Sequence, residues 1–136
     1  MSEAVKQVEE FFEAMNRHDL EGMARLLDEQ VVAEEVAEPE PCRGLEAFKA
    51  SYRELFQGYP DCRCQVLATY DAGSEVICEV LWSATNSGEF RGSPPTGKAV
   101  ELRIAYFFKF GQGRITRITE YYDLATLLVQ QGQLEL

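Results

Sequence analysis

The sequence predicts an α+β fold: a curled, cone-shaped sheet, antiparallel or mixed, with three to four N-terminal and flanking helices on its concave face. Three observations predict it. In the N-terminal part, apolar residues recur at three- and four-residue steps, the spacing of helices that bury one side. From Cys62 onward the apolar period falls to two, over four long runs separated by short turns. Helices first and hairpin-connected strands afterwards put the helices together on one side of an antiparallel sheet.

Each element has its own signal. Ser2 is an N-cap candidate, followed by Val5, Val8, Phe11, Phe12 and Met15 on one stripe, so a helix runs to about Asn16. The polar Asn16-Arg17-His18-Asp19 ends it, and Asp19 caps a second helix, Leu20 to Leu27. Val31 to Val36 is short and β-branched, a strand; the prolines of Glu38-Pro39-Glu40-Pro41 make a loop. Gly44 to Phe56 is a third helix with Leu45, Phe48, Tyr52, Leu55 and Phe56 on one face. Strands follow at Arg63–Tyr70, Glu75–Thr85, Val100–Phe110 and Arg114–Tyr122, and a last helix starts at Leu124. Strands this long twist strongly, and a curled sheet backed by helices leaves a pocket at its open end.

Composition narrows the function. The chain has 136 residues, 13 Lys and Arg against 23 Asp and Glu, and a formal charge of −10. That length fits one domain, residues 1–136. So acidic a body repels phosphate backbones and anionic lipid, which argues against nucleic-acid and membrane-surface partners. No apolar run approaches the ~20 residues of a membrane-spanning helix, and the acid-rich N-terminus is unlike a signal peptide. The expected location is cytoplasmic. Of four cysteines, Cys62 and Cys64 share one strand face, too close for an easy mutual disulfide, and Cys42 and Cys78 are single. The spacing lacks paired zinc knuckles, so the cysteines are expected reduced and mostly buried, with no metal. No phosphate-binding loop or nucleophile motif is present either, and no cofactor is expected.

Several segments together resemble a known family. The helix, helix, strand, Gly-led helix order is followed by Gly58-Tyr59-Pro60-Asp61, by the hairpin Gly88-Glu89-Phe90-Arg91-Gly92-Ser93-Pro94-Pro95-Thr96-Gly97-Lys98, and by Thr119-Glu120-Tyr121-Tyr122-Asp123 with Gln130-Gln131-Gly132 after it. These resemble the SnoaL-like polyketide cyclases of the nuclear-transport-factor-two-like superfamily, over about Val5 to Gly132. The resemblance implies a cone-shaped α+β barrel. It also implies an aspartate at the end of the last strand as general acid/base in an intramolecular aldol closure, and Asp123 matches that place. Because the superfamily also holds isomerases, dehydratases, epoxide hydrolases and binding modules, the fold alone does not fix the chemistry.

The residues add their own argument. Asp123 follows two tyrosines and precedes an apolar run; at the rim of an aromatic pocket its pKa would rise towards neutrality. As an alternative it caps the final helix. Alternation turns Val76, Cys78, Val80, Trp82 and Ala84 inward, with Val100, Leu102, Ile104, Tyr106, Phe108 and Phe110. Trp82, Tyr106, Tyr121, Phe12, Met15 and Tyr52 are the expected substrate-binding residues. The last strand stays open: an inward Asp123 carries Tyr121 with it, and the opposite parity would turn Glu120 inward as a second possible acid. The remaining acids, Glu34, Glu35, Glu38 and Glu40 among them, are read as outside. The one histidine, His18, sits in a polar turn, and Asn86-Ser87-Gly88 carries none where many SnoaL-like members do, which closes a histidine-assisted route. The function expected is a cofactor-independent acid/base enzyme for a small hydrophobic carbonyl compound; the alternative is a non-catalytic binding or dimerisation module. A homodimer is expected through an outer sheet face carrying Ile77, Leu81, Ala105 and Phe107.

Overall fold

A computed structural model describes residues 1–136. Ser2 caps α1 (Glu3–Asn16), its hydroxyl accepting the Val5 N–H at 3.1 Å. The stripe Val8, Phe11, Phe12 and Met15 is buried, as the helical spacing requires. Asp19 accepts the Gly22 N–H at 2.9 Å and caps α2 (Leu20–Ala24). This helix is shorter than its apolar spacing suggested, because Leu27, only 2% exposed, already belongs to β1 (Leu27–Glu35). A two-residue strand that the sequence did not signal, β2 (Cys42–Arg43), pairs with β1 just after the proline loop. Then come α3 (Leu45–Gly58), β3 (Arg63–Asp71), β4 (Glu75–Thr85), β5 (Ala99–Gly111), β6 (Arg114–Tyr121) and α4 (Leu124–Gln130).

The six strands form one mixed sheet in the order β2-β1-β6-β5-β4-β3. Only β1 and β6 run parallel; the other neighbours are antiparallel. The period-two reading holds along β4 and along β5 as far as Phe108: Val76, Cys78, Val80, Trp82 and Ala84, and Val100, Leu102, Ile104, Tyr106 and Phe108, are all buried, while Phe110, at the register slip against β6, is half-buried. The helices cover that face. Phe11 packs on Phe108 with ring centres 5.4 Å apart, and Phe12 edge-on against Tyr106 at 5.0 Å, contacts worth about 0.5–1.5 kcal/mol each beyond area burial.

Two features position the site. β6 slips register against β5 between Phe110↔Ile115 and Lys109↔Arg117, leaving Thr116 unpaired. Such a bulge reverses the alternation: Ile115 and Ile118, three residues apart, are both buried, and Glu120 follows Ile118 inward. The β4–β5 connection is docked on the end of α3. Gly88 donates its N–H to the Gly58 carbonyl at 3.2 Å, and a Cβ at Gly88 would overlap the Gln57 carbonyl oxygen. Buried Asn86 completes the joint, donating to the Gly58 and Gly88 carbonyls, both at 3.1 Å, and accepting from the Thr96 N–H at 2.9 Å. No helix is long and apolar enough to cross a membrane.

Candidate active site

The curled sheet, α3, α4 and the docked connection enclose a cavity of about 340 Å³. Its walls are largely apolar, with Phe48, Leu55, Trp82, Leu102 and Ile104 among them; Leu124, Leu127 and Leu128 come from α4. Gln130 fastens α4 to the sheet, its side chain accepting the Glu101 N–H at 2.7 Å and donating to the Glu101 carbonyl at 3.0 Å. Beyond the helix, buried Gln131 donates to the Tyr59 hydroxyl.

Ionisable groups gather on one side of this cavity. Glu120 on β6 is the register partner of Tyr106 on β5 and of Glu35 on β1, and all three line the cavity. Burial raises the Glu120 carboxyl to about 8; the negative charge of Glu35 adds to this and hydrogen bonding from Tyr106 partly opposes it. At pH 7 Glu120 therefore holds its proton. Glu35 is raised too, by burial first and then by Glu38, while Arg91 pulls it down. Burial also holds the Tyr52 and Tyr106 phenols well above their ordinary value, with the charge of Glu120 next in importance. Both stay protonated and available as donors.

Arg91 closes the acidic side. It sits in the left-handed region at φ 49°, which turns its guanidinium onto Glu54 at 2.8 Å, Glu38 at 3.4 Å and the Ser51 hydroxyl at 3.4 Å. Its Cζ lies 4.7 Å from the centre of the Phe90 ring.

The structure separates the residues expected at the site. Trp82, Tyr106, Met15 and Tyr52 do line the cavity. Phe12 does not: at 3% exposure it lies behind the wall, supporting Tyr106. Tyr121 does not either: it is 48% exposed on the outer face, its ring 5.5 Å from Phe107. Asp123 lies outside the lining although its neighbours Tyr122 and Leu124 belong to it. Its carboxylate caps α4, accepting from the Ala125 N–H at 3.0 Å and the Thr126 hydroxyl at 2.9 Å. The expectation of a burial-raised acid there is thus reversed. Asp123 is exposed, and its hydrogen bonds from Thr126 hold its pKa below the usual carboxylate range.

Glu35 and Arg91 were missed. Glu35 shares the parity of Val31 and Ala33, an inward signal hidden by the acids around it. Nothing local marks Arg91, which the docked connection brings in. His18 stacks on Phe56 at 4.2 Å, its Nε2 3.1 Å from the Cys62 carbonyl oxygen, away from the cavity. All four cysteines are free, with Cys62, Cys64 and Cys78 buried. No three His, Cys, Asp or Glu side chains come together as metal ligands would.

An open six-stranded mixed sheet, curled over a cavity and backed by four helices, defines a nuclear-transport-factor-two-like α+β cone. Within that class, the chain belongs to the SnoaL-like polyketide cyclase family, whose model matches residues 3–131. Solved structures agree on the fold. AclR from Streptomyces galilaeus is 23% identical over 99% of both chains with a TM-score of 0.84. IdmH from Streptomyces antibioticus is 25% identical over 96% of this chain and 99% of its own, with a TM-score of 0.81. An LEH-like epoxide hydrolase from M. tuberculosis is 20% identical over 96% of this chain and 90% of its own, with a TM-score of 0.75. No curated protein matches in sequence.

Proposed function

We propose that the chain is a cofactor-independent enzyme acting on a small, largely hydrophobic carbonyl compound, with Glu120 as its proton carrier. One observation carries the reading: the Glu120 carboxyl, pushed up by burial, lines an apolar cavity in register with the Tyr106 phenol. A carbonyl oxygen placed there would meet two donors, Glu120 and Tyr106. Developing negative charge on that oxygen is stabilised by such fixed donors in a site that excludes water, and proton delivery by Glu120 to the oxygen, as a base takes the α-proton and the C–H electron pair becomes the C=C bond, gives an enol. An enol leads on to ring closure or isomerisation, according to the electrophile that the substrate presents. Asp123 supports this arrangement from outside, by capping the helix that covers the cavity. The binding-module alternative expects a cavity without a reachable ionisable group, and Glu120 and Glu35 both line this one.

The test is turnover of a substrate found by screening small ketones, cyclic and polyketide-derived. Glu120→Gln should lower turnover by ~10²–10⁴-fold and leave the fold intact. Full activity in that variant would reject Glu120 as the proton carrier. We also propose a homodimer, formed through the outer sheet face on which Phe107 and Tyr121 lie; sedimentation that finds only monomer at micromolar concentration would reject it.

A further inference from the structure

An enol forms only if one group takes a proton from carbon while another gives one to oxygen, and Glu120 with its proton in place does only the second. Glu35 stands where the first is needed. It faces Glu120 across the parallel β1–β6 pair, in direct register, and both side chains line the same cavity. Neither forms an ion pair. The cavity's guanidinium, on Arg91, is held by Glu54 and Glu38 at 2.8 and 3.4 Å, close enough to Glu35 to favour its ionised form. Glu120 has no cation acting on it. Two neighbouring carboxyls in such unequal surroundings divide into a base and an acid.

We propose that Glu35 is the second catalytic carboxyl of this site: the general base that takes the α-proton of a bound ketone while Glu120 delivers its proton to the carbonyl oxygen. The inference rests on the reading of Glu120 given above and completes it. The proton balance closes. The α C–H bond breaks and its electron pair forms the C=C bond of the enol; the carbonyl π pair takes the proton of Glu120; Glu35 ends protonated and Glu120 ionised. Reversal of both transfers at another carbon restores the resting pair; so does attack of the enol on a second carbonyl, whose oxygen takes the Glu35 proton while the enol hydroxyl returns its own to Glu120. The other titratable or charged groups around the pair are Glu38 and Cys42 beside Glu35, Arg91 over them, Cys64 near Glu120, and the phenols of Tyr52, Tyr106 and Tyr122.

Two measurements on the whole protein test this. Carbon-13 NMR titration of the glutamate side-chain carboxyls needs no ligand. Glu35→Gln should move the Glu120 titration downward, by about one pH unit, because a neighbouring negative charge is removed; an unmoved titration in a folded variant overturns the pairing. The second follows α-proton exchange of 2-tetralone in D₂O by proton NMR. The wild-type protein should speed exchange over buffer, Glu35→Gln should lose that acceleration by ~10²–10⁴-fold, and Glu35→Asp should recover part of it. Acceleration that survives Glu35→Gln and disappears in Glu120→Gln overturns the base assignment and leaves the acid standing. Acceleration that survives Glu120→Gln and disappears in Glu35→Gln overturns the acid instead. If wild type fails to speed exchange, the base assignment falls together with the ketone chemistry, and the carboxyl titration still decides the pairing.

Discussion

Glu120 and Asp123 lie three residues apart, at the end of one strand and the start of one helix, and their carboxyls go opposite ways. Glu120 projects from β6 into an apolar cavity beside another acid, and burial pushes it up to about 8. Asp123 projects into solvent against the first turn of α4, and its hydrogen bonds from Thr126 pull it down. The lesson is that a carboxylate's chemistry follows from what surrounds its oxygens and not from its place in a motif. A free helix terminus offers N–H donors that favour the anion; an apolar wall with a second carboxyl opposite, its one guanidinium engaged by Glu38 and Glu54, favours the acid.

The comparison breaks most decisively on turnover. Glu120→Gln should lower it by ~10²–10⁴-fold, the usual contribution of a positioned general acid. Asp123→Asn should retain activity within a few-fold. The opposite ranking, measured by steady-state kinetics, would return the proton-carrying role to the helix cap.

The pH dependence is the next sharpest probe. Glu120 acts in its protonated form, so kcat/KM should fall as pH rises through about 8, by about tenfold per unit beyond it. A profile flat from pH 6 to 10 would contradict this.

Stability separates the two acids by sign. A carboxyl with a folded pKa above its unfolded value contributes most at low pH, and that contribution is lost as pH rises from about 4.5 to about 8. Glu120→Gln should therefore stabilise the fold at pH 8 by on the order of 1–3 kcal/mol, read from urea unfolding. Asp123 is depressed, so its contribution is present at neutral pH and disappears as pH falls below the ordinary carboxylate range. Asp123→Ala should lower the melting temperature by a few degrees at pH 7 and by less at pH 3.

The smallest effect expected is at Tyr121, between the two acids in sequence. Tyr121→Ala leaves the cavity wall untouched, so ligand-induced change in the fluorescence of Trp82, the only tryptophan, should match wild type. A lost response would place that ring inside the site after all.

Much of the fold was legible because periodicity is a local property. Every even residue from Val76 to Ala84 and from Val100 to Phe108 is buried, since an unbroken strand between two neighbours keeps its alternation. The helix caps at Ser2 and Asp19 were legible too, because the side chain and the N–H it satisfies lie within one turn. The wall residues Trp82, Tyr106, Met15 and Tyr52 followed from the same patterns. Phe12 did not, because its stripe shows that it is buried but not whether protein or cavity meets it.

The sequence by itself determined the α+β class, the inward faces of β4 and β5, and the absence of a histidine from Asn86-Ser87-Gly88. Tertiary structure alone decided which carboxyl faces the cavity. The unpaired Thr116 reverses β6, so Glu120 and not Asp123 points inward, and a register slip depends on the neighbouring strand. It also decided the acid's company. Glu35 lies 85 residues before Glu120 in the chain and meets it only because β1 and β6 pair in parallel. Arg91 reaches Glu38 and Glu54 only because Gly88 lets the connection rest on α3. Periodicity reports which side of an element is apolar; it carries no information about which distant element packs there, and a pKa is set by that neighbour.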